Sequence, residues 1–88
     1  MPRMKTRDFL ATVEHPASRL EIAGFDDGRF CLMAHPEGET FIHANLDGDI
    51  KLYPRVEDIL AWLVRHTGRT EATISIKNWR PASHRGRG

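Results

Sequence analysis

Three triplets ending in glycine, Asp26-Asp27-Gly28, Pro36-Glu37-Gly38 and Leu46-Asp47-Gly48, constrain the fold of this chain more than any other feature. Each lies between β-prone segments, and a three-residue hairpin loop needs a last residue that accepts positive φ. The spacing predicts a four-stranded antiparallel β-meander over residues 19 to 53. The register follows from the loops, with Phe25 facing Arg29, His35 facing Glu39, and Asn45 facing Asp49. One sheet face then carries Leu20, Ile22, Gly24, Phe30, Leu32, Ala34, Thr40, Ile42, Ala44, Ile50 and Leu52. A two-residue first loop would send Leu20 and Ile22 away from Phe30 and Leu32, because a one-residue slip turns a whole strand over. The three-residue reading gives one apolar face, and it is the reading adopted for all three loops.

Two helices and a fifth strand complete the expected fold. Residues 1 to 5 carry no pattern. Thr6 is placed to N-cap a short helix that ends near Glu14, before Pro16, and docks Phe9, Leu10 and Val13. Pro54 suits the start of a second helix, in which Val56, Ile59, Leu60, Leu63 and Val64 recur at amphipathic spacing. Gly68 is a natural terminator, and Arg65 and His66 suit the negative end of the helix dipole. That stripe is expected to lie across Leu20, Leu32, Ile42 and Leu52, leaving Trp62 on the opposite side with Arg55, Asp58 and Arg65. Residues 71 to 77 alternate as a fifth strand with Ile74 and Ile76 inward. The expected class is α+β: the meander, a short N-terminal helix, one major helix packed on one sheet face, and a C-terminal strand. Residues 1–79 form a single small domain and residues 80–88 a flexible basic tail.

Composition narrows the function classes. Eighty-eight residues allow one modest core, and 40% hydrophobic with 28% charged residues excludes disorder of the whole chain. The single cysteine, Cys31, excludes an internal disulfide and fits a reducing compartment. No apolar run approaches the roughly 18 residues of a membrane span, and no signal-peptide core follows the first basic residues. A cytoplasmic location without membrane partners is expected. Five histidines invite a metal, but His15, His35, His43, His66 and His84 show no zinc-site spacing, and no metal or cofactor is expected. The acidic loop residues read as turn chemistry, and no glycine-rich phosphate loop is present. Cys31 and His43 face each other in the predicted register, which is how a thiolate nucleophile site begins. No third orienting residue accompanies them, so Cys31 reads as a small apolar residue and the protein as no enzyme.

Two partner surfaces are legible. The second face of the predicted sheet carries Glu21, Ala23, Phe25, Arg29, Cys31, Met33, Phe41, His43, Lys51 and Tyr53, which is unusually apolar for a face shown to water. Phe25, Cys31, Met33, Phe41, His43 and Tyr53 are the expected partner interface. The leading expectation is a small non-enzymatic interaction or regulatory module that forms a homodimer or binds another protein there. The alternative rests on charge. Residues 8 to 53 sum to −6, while the segments before and after them sum to +3 and +4. Arg55, Trp62, Arg65, Arg69, Trp79, Arg80, Arg85 and Arg87 could contact phosphates and stack on bases of a nucleic acid. The order helix, three strands, helix resembles the double-stranded-RNA-binding arrangement, against which weigh the extra strands and the sequence Arg55-Val56-Glu57-Asp58.

Overall fold

The computed structural model describes residues 2 to 81. In chain order these form β1 (Arg3–Lys5), α1 (Thr6–Glu14), β2 (Arg19–Gly24), β3 (Phe30–His35), β4 (Phe41–Ala44), α2 (Val56–His66) and β5 (Thr73–Ser75). The five strands make one sheet in the order β1-β4-β3-β2-β5, with both helices packed on the same face. β2, β3 and β4 are antiparallel neighbours, but β1 lies parallel to β4 and β5 parallel to β2. The sheet is therefore mixed, which corrects the four-stranded antiparallel meander. The reason lies in the connections, because α1 follows β1 directly, α2 precedes β5, and a strand joined through a helical crossover arrives parallel. Residues 3 to 5, expected to be without structure, supply one of those strands.

The last limb of the expected meander shrinks to two isolated bridges, Ala44 with Ile50 and Phe30 with Tyr53. Phe30 and Tyr53 exchange both backbone hydrogen bonds at 2.8 Å. β3 thus changes partner along its length, pairing with β4 at Met33 and Ala34 and with the returning limb at Phe30.

The loops explain the register. In the first, Gly28 N donates to Phe25 O and Phe25 N to Arg29 O; the third repeats both bonds with Gly48, Asn45 and Asp49. Gly28 and Gly48 have φ of 89° and 92°. In both loops the residue before glycine is Asp, and its carboxylate accepts the N–H two residues on, Arg29 N to Asp27 and Asp49 N to Asp47, each at 3.0 Å. The Arg29 side chain reinforces Asp27 and holds its carboxyl below the usual range. The second loop has Glu37 in that place, one methylene too long for the same local bond. There the turn forms one residue later, closed by Glu39 N on Pro36 O at 2.9 Å, and Thr40 rather than Glu39 stands opposite His35.

That one-residue difference turns β4 over. The observed pairs are Ala34 with Phe41 and Met33 with Ile42. His43 and Tyr53 consequently join the helix side, among Phe9, Val13, Leu20, Ile22, Phe30, Leu32, Ile59 and Leu63. Ile42, Ile50 and Leu52 go to the other face with Cys31 and Met33. α2 is also rotated from the expected setting. Ile59 and Leu63 are buried and Val56 packs on the core, but Leu60 and Val64 are exposed, while Trp62 turns inward against Phe9 and His43. The indole brings more apolar area than either aliphatic side chain and meets two ring faces, so it outweighs the aliphatic spacing.

Candidate functional site

Of the large apolar side chains exposed among the described residues, Leu46 sits alone in the third hairpin loop. Of the others, Leu60 and Val64 of α2 and Ile74 of β5 border the open groove between those two elements, and Ile76 is exposed just past the end of β5. Two adjoining depressions of about 410 and 620 Å³ run along this junction. Leu60, Val64 and Ala72 line the first, and Leu60, Ile22 and Ile74 line the second.

β5 is the outermost strand on this side, so its outer backbone groups have no strand beside them. Their direction follows from alternation. Phe25 N binds Arg29 O, so within β2 the residues 21 and 23 turn their backbone groups toward β3 and Ile22 turns its own toward β5. Ile22 pairs with Ile74 in parallel register, which engages Thr73 and Ser75 with β2 and points the N–H and C=O of Ile74 outward. The Ile74 side chain lies on the helix side, 51% exposed. An edge of this kind accepts an additional strand.

Two devices hold the edge in place. Trp79 stacks on Phe30 at 5.9 Å, donates its indole N–H to Gly28 O at 3.1 Å, and lies so close to Gly24 that a Cβ there would meet it at 2.7 Å. Arg80 N donates to Phe25 O at 3.2 Å just beyond it. Arg69 supplies the second device, its guanidinium donating to Val13 O and His15 O at the end of α1. Thr67, not Gly68, closes α2, its N–H and hydroxyl both reaching Leu63 O. Gly68 has no positive φ.

The expected interface residues divide between the two faces. Cys31 and Met33 are buried on the second face under Phe25, Ile50 and Leu52, and burial pushes the Cys31 thiol up to about 11. His43 and Tyr53 are buried on the helix side, and Phe41 faces the same way. The Cys31–His43 pair therefore does not form. His43 is sandwiched between Phe9 and Trp62, with Nε2 2.8 Å from Thr6 Oγ1 and Nδ1 without a partner. Burial, with the Lys51 charge adding to it, pushes its pKa down to about 4. Burial likewise raises the Tyr53 phenol to about 12. Among the described residues no group of three or more His, Cys, Asp or Glu could hold a metal, and no helix is long and apolar enough to cross a membrane.

The nucleic-acid candidates are likewise dispersed. Trp62 and Trp79 are packed, and Arg69 is committed to α1. Arg55 and Arg65 stand at opposite ends of α2, about 15 Å apart along its axis. Arg80 is exposed beyond Trp79; Arg85 and Arg87 lie outside the described residues. Leu60, Val64, Ile74 and Ile76 escaped sequence reading as surface residues because their spacing is that of core positions; the signal that could have exposed them is a stripe wider than an eleven-residue helix can bury once Trp62 is counted. No family model matches the chain, and neither a curated protein nor a solved structure shows significant similarity to it.

Proposed function

We propose that this protein is a non-enzymatic interaction module whose working surface is the α2–β5 edge, where another polypeptide adds a strand to β5 and covers Leu60, Val64, Ile74 and Ile76. One observation carries this reading: the exposed aliphatic side chains of two separate elements flank an unpaired strand. Strand addition draws affinity from main-chain hydrogen bonds and specificity from pockets for alternate side chains. The open backbone of Ile74 offers the first, and the depressions beside Leu60 and Ala72 offer the second. The second sheet face is less suited, since its central Cys31 and Met33 are already covered by neighbours of the same chain.

The test is a random-peptide library panned against the immobilised protein. The expected binders are extended peptides with alternating apolar residues, lost on Ile74→Lys or Leu60→Glu and kept on Arg55→Glu. Binders indifferent to Ile74→Lys, or salt-sensitive binding of a labelled RNA duplex that the same substitution leaves intact, would overturn the proposal.

A further inference from the structure

The apolar residues of α2 make two overlapping stripes. Val56, Ile59 and Leu63 belong to both, Leu60 and Val64 complete one, and Trp62 completes the other. At about 100° per residue Trp62 and Val64 stand about 160° apart around the helix, so turning one inward turns the other out. We infer that α2 has two settings about its own axis and that His43 selects between them. A neutral imidazole keeps Trp62 inward and the groove beside β5 open; a protonated one turns α2 by roughly 60°, which sinks Leu60 and Val64 into the groove and releases Trp62 to water. This inference rests on the docking-edge reading and names the regulation of that site.

Three observations support it. The first is the ring stack. His43 has no exposed surface and packs against Phe9 at 4.7 Å and Trp62 at 4.8 Å. Its Nε2 is engaged by the Thr6 hydroxyl, and its Nδ1 has no partner. A neutral ring leaves only a bare lone pair at Nδ1, but protonation creates an N–H without an acceptor and a charge without water. Withdrawing Trp62 admits the water that this group then needs. The neighbours offer no compensating acid: α1 presents Thr6 and Phe9, β1 pairs Met4 with His43, the Lys51 charge opposes the proton, and on α2 the exposed His66 stacks on Trp62 at 5.0 Å.

The second observation is room. The depression of about 410 Å³ lies beside Leu60, Val64 and Ala72, and the one of about 620 Å³ lies beside Leu60, Ile22 and Ile74, so both side chains turn into open space with apolar walls. The third is balance. Leu60 is 44% and Val64 78% exposed, while Trp62 is only half-buried, so each setting buries what the other leaves in water and one charge is enough to decide between them. Burial holds the His43 imidazole at about 4 in the inward setting, against about 6.5 for a ring in water. The turned setting binds the proton more readily, so falling pH favours it, by up to about 300-fold across that interval.

Nuclear magnetic resonance of the indole N–H and methyl groups, followed from about pH 7 to 4.5, tests this directly, with His66→Gln as background so that His66 does not titrate on the same ring. The Trp62 indole resonance, identified by its loss in Trp62→Leu, is expected to become solvent-exposed while the methyls of Leu60 and Val64 gain contacts to Ala72 and Ile74. Circular dichroism should show the helix content unchanged, and library peptides captured at β5 should be released about tenfold or more. His43→Phe keeps a ring in the stack but takes no proton, and both responses should vanish. Trp62→Leu should weaken capture at neutral pH although it leaves the groove residues untouched. Exposure of Trp62 only together with the loss of all amide protection would overturn the two settings. A Trp62 that stays inward at every pH, with peptides still captured through Ile74, would overturn them and leave the docking edge standing. A turning helix to which captured peptides are indifferent would overturn the docking edge as the regulated site.

Discussion

The two edges of this sheet are finished in opposite ways. β1 closes one side with Arg3 and Lys5 exposed and Met4 half-buried. Basic side chains along an outer strand are a common guard against pairing with another chain. β5 closes the other side with Thr73, Ile74 and Ser75, which carry no charge, and with Ile76 exposed beside them. Both outer strands are three residues long and both run parallel to their neighbours, so geometry alone does not separate them. Their supports differ as well. The β1 side is backed by Phe9 of α1 stacked on His43 of β4 at 4.7 Å. The β5 side is pinned by Trp79 and lies outside the cover of α2, which leaves Ile74 to solvent. One edge is guarded and braced; the other is pinned and left open.

The largest effect should come from breaking the brace. Phe9 has no exposed surface, and Phe9→Ala should cost about 3–5 kcal/mol of unfolding free energy in denaturant titration. Protection of the β1 and β4 amides should be lost before that of β2. An unchanged midpoint would mean that α1 contributes little to this side.

Acid should act on the same side. His43 keeps its proton off in the fold until about pH 4 but takes it up near pH 6.5 when unfolded. The unfolded chain therefore binds more protons in this window. The contribution of His43 is fully present above pH 6.5 and is lost as pH falls toward 4, on the order of 3 kcal/mol. His43→Phe should flatten this part of the stability profile measured between those limits; a slope that persists would assign it to other groups.

The pin on the open edge can be removed with a single methyl group. Gly24→Ala would place its Cβ within van der Waals overlap of Trp79, and an overpacked site of this kind costs about 1–3 kcal/mol. The displaced indole should show in a red-shifted fluorescence maximum, and β5 amides should exchange faster than those of β3. Arg69→Ala should cost about 1.5–3 kcal/mol through its charged bonds to the end of α1, measured by the same titration.

The smallest effect on stability, within about 0.5 kcal/mol, is expected for Lys5→Val on the guarded edge. Its consequence should appear in association instead, as light scattering that rises with concentration where the unaltered protein's does not. No change would show that β1 is protected by something other than its charges.

Part of the candidate site was legible in the residues. The helix over 56 to 66 is plain in the sequence, and so is the existence of a fifth strand, though it covers only Thr73–Ser75 of the expected 71 to 77 because the chain turns at Ile76, whose carbonyl accepts from Trp79 N. What could not be read was which of the apolar residues stay outside. Leu60 and Val64 have the spacing of core residues, and only the competition with Trp62 for the Phe9 and His43 rings turns them outward. Ile74 alternates like an inward residue and does lie on the inward side, but the sheet extends one strand beyond the cover of the helix.

By itself the sequence determined the elements whose causes are local. The first and third hairpins follow from Asp-Gly pairs, in which a short carboxylate bonds the N–H two residues ahead and glycine takes the positive φ. The first helix ends at Glu14, as Pro16 suggests, but Thr6 is its first residue rather than its N-cap, which is Lys5, and the Thr6 hydroxyl meets His43 instead. Tertiary structure decided the remainder. The second hairpin has glycine without the aspartate, so its local preference does not fix the register, and β4 took the setting that lets His43 meet Phe9 and Ile42 meet Cys31 and Met33. The parallel outer strands were decided in the same way, since three residues of edge strand acquire a partner only after the helices have carried them across the sheet.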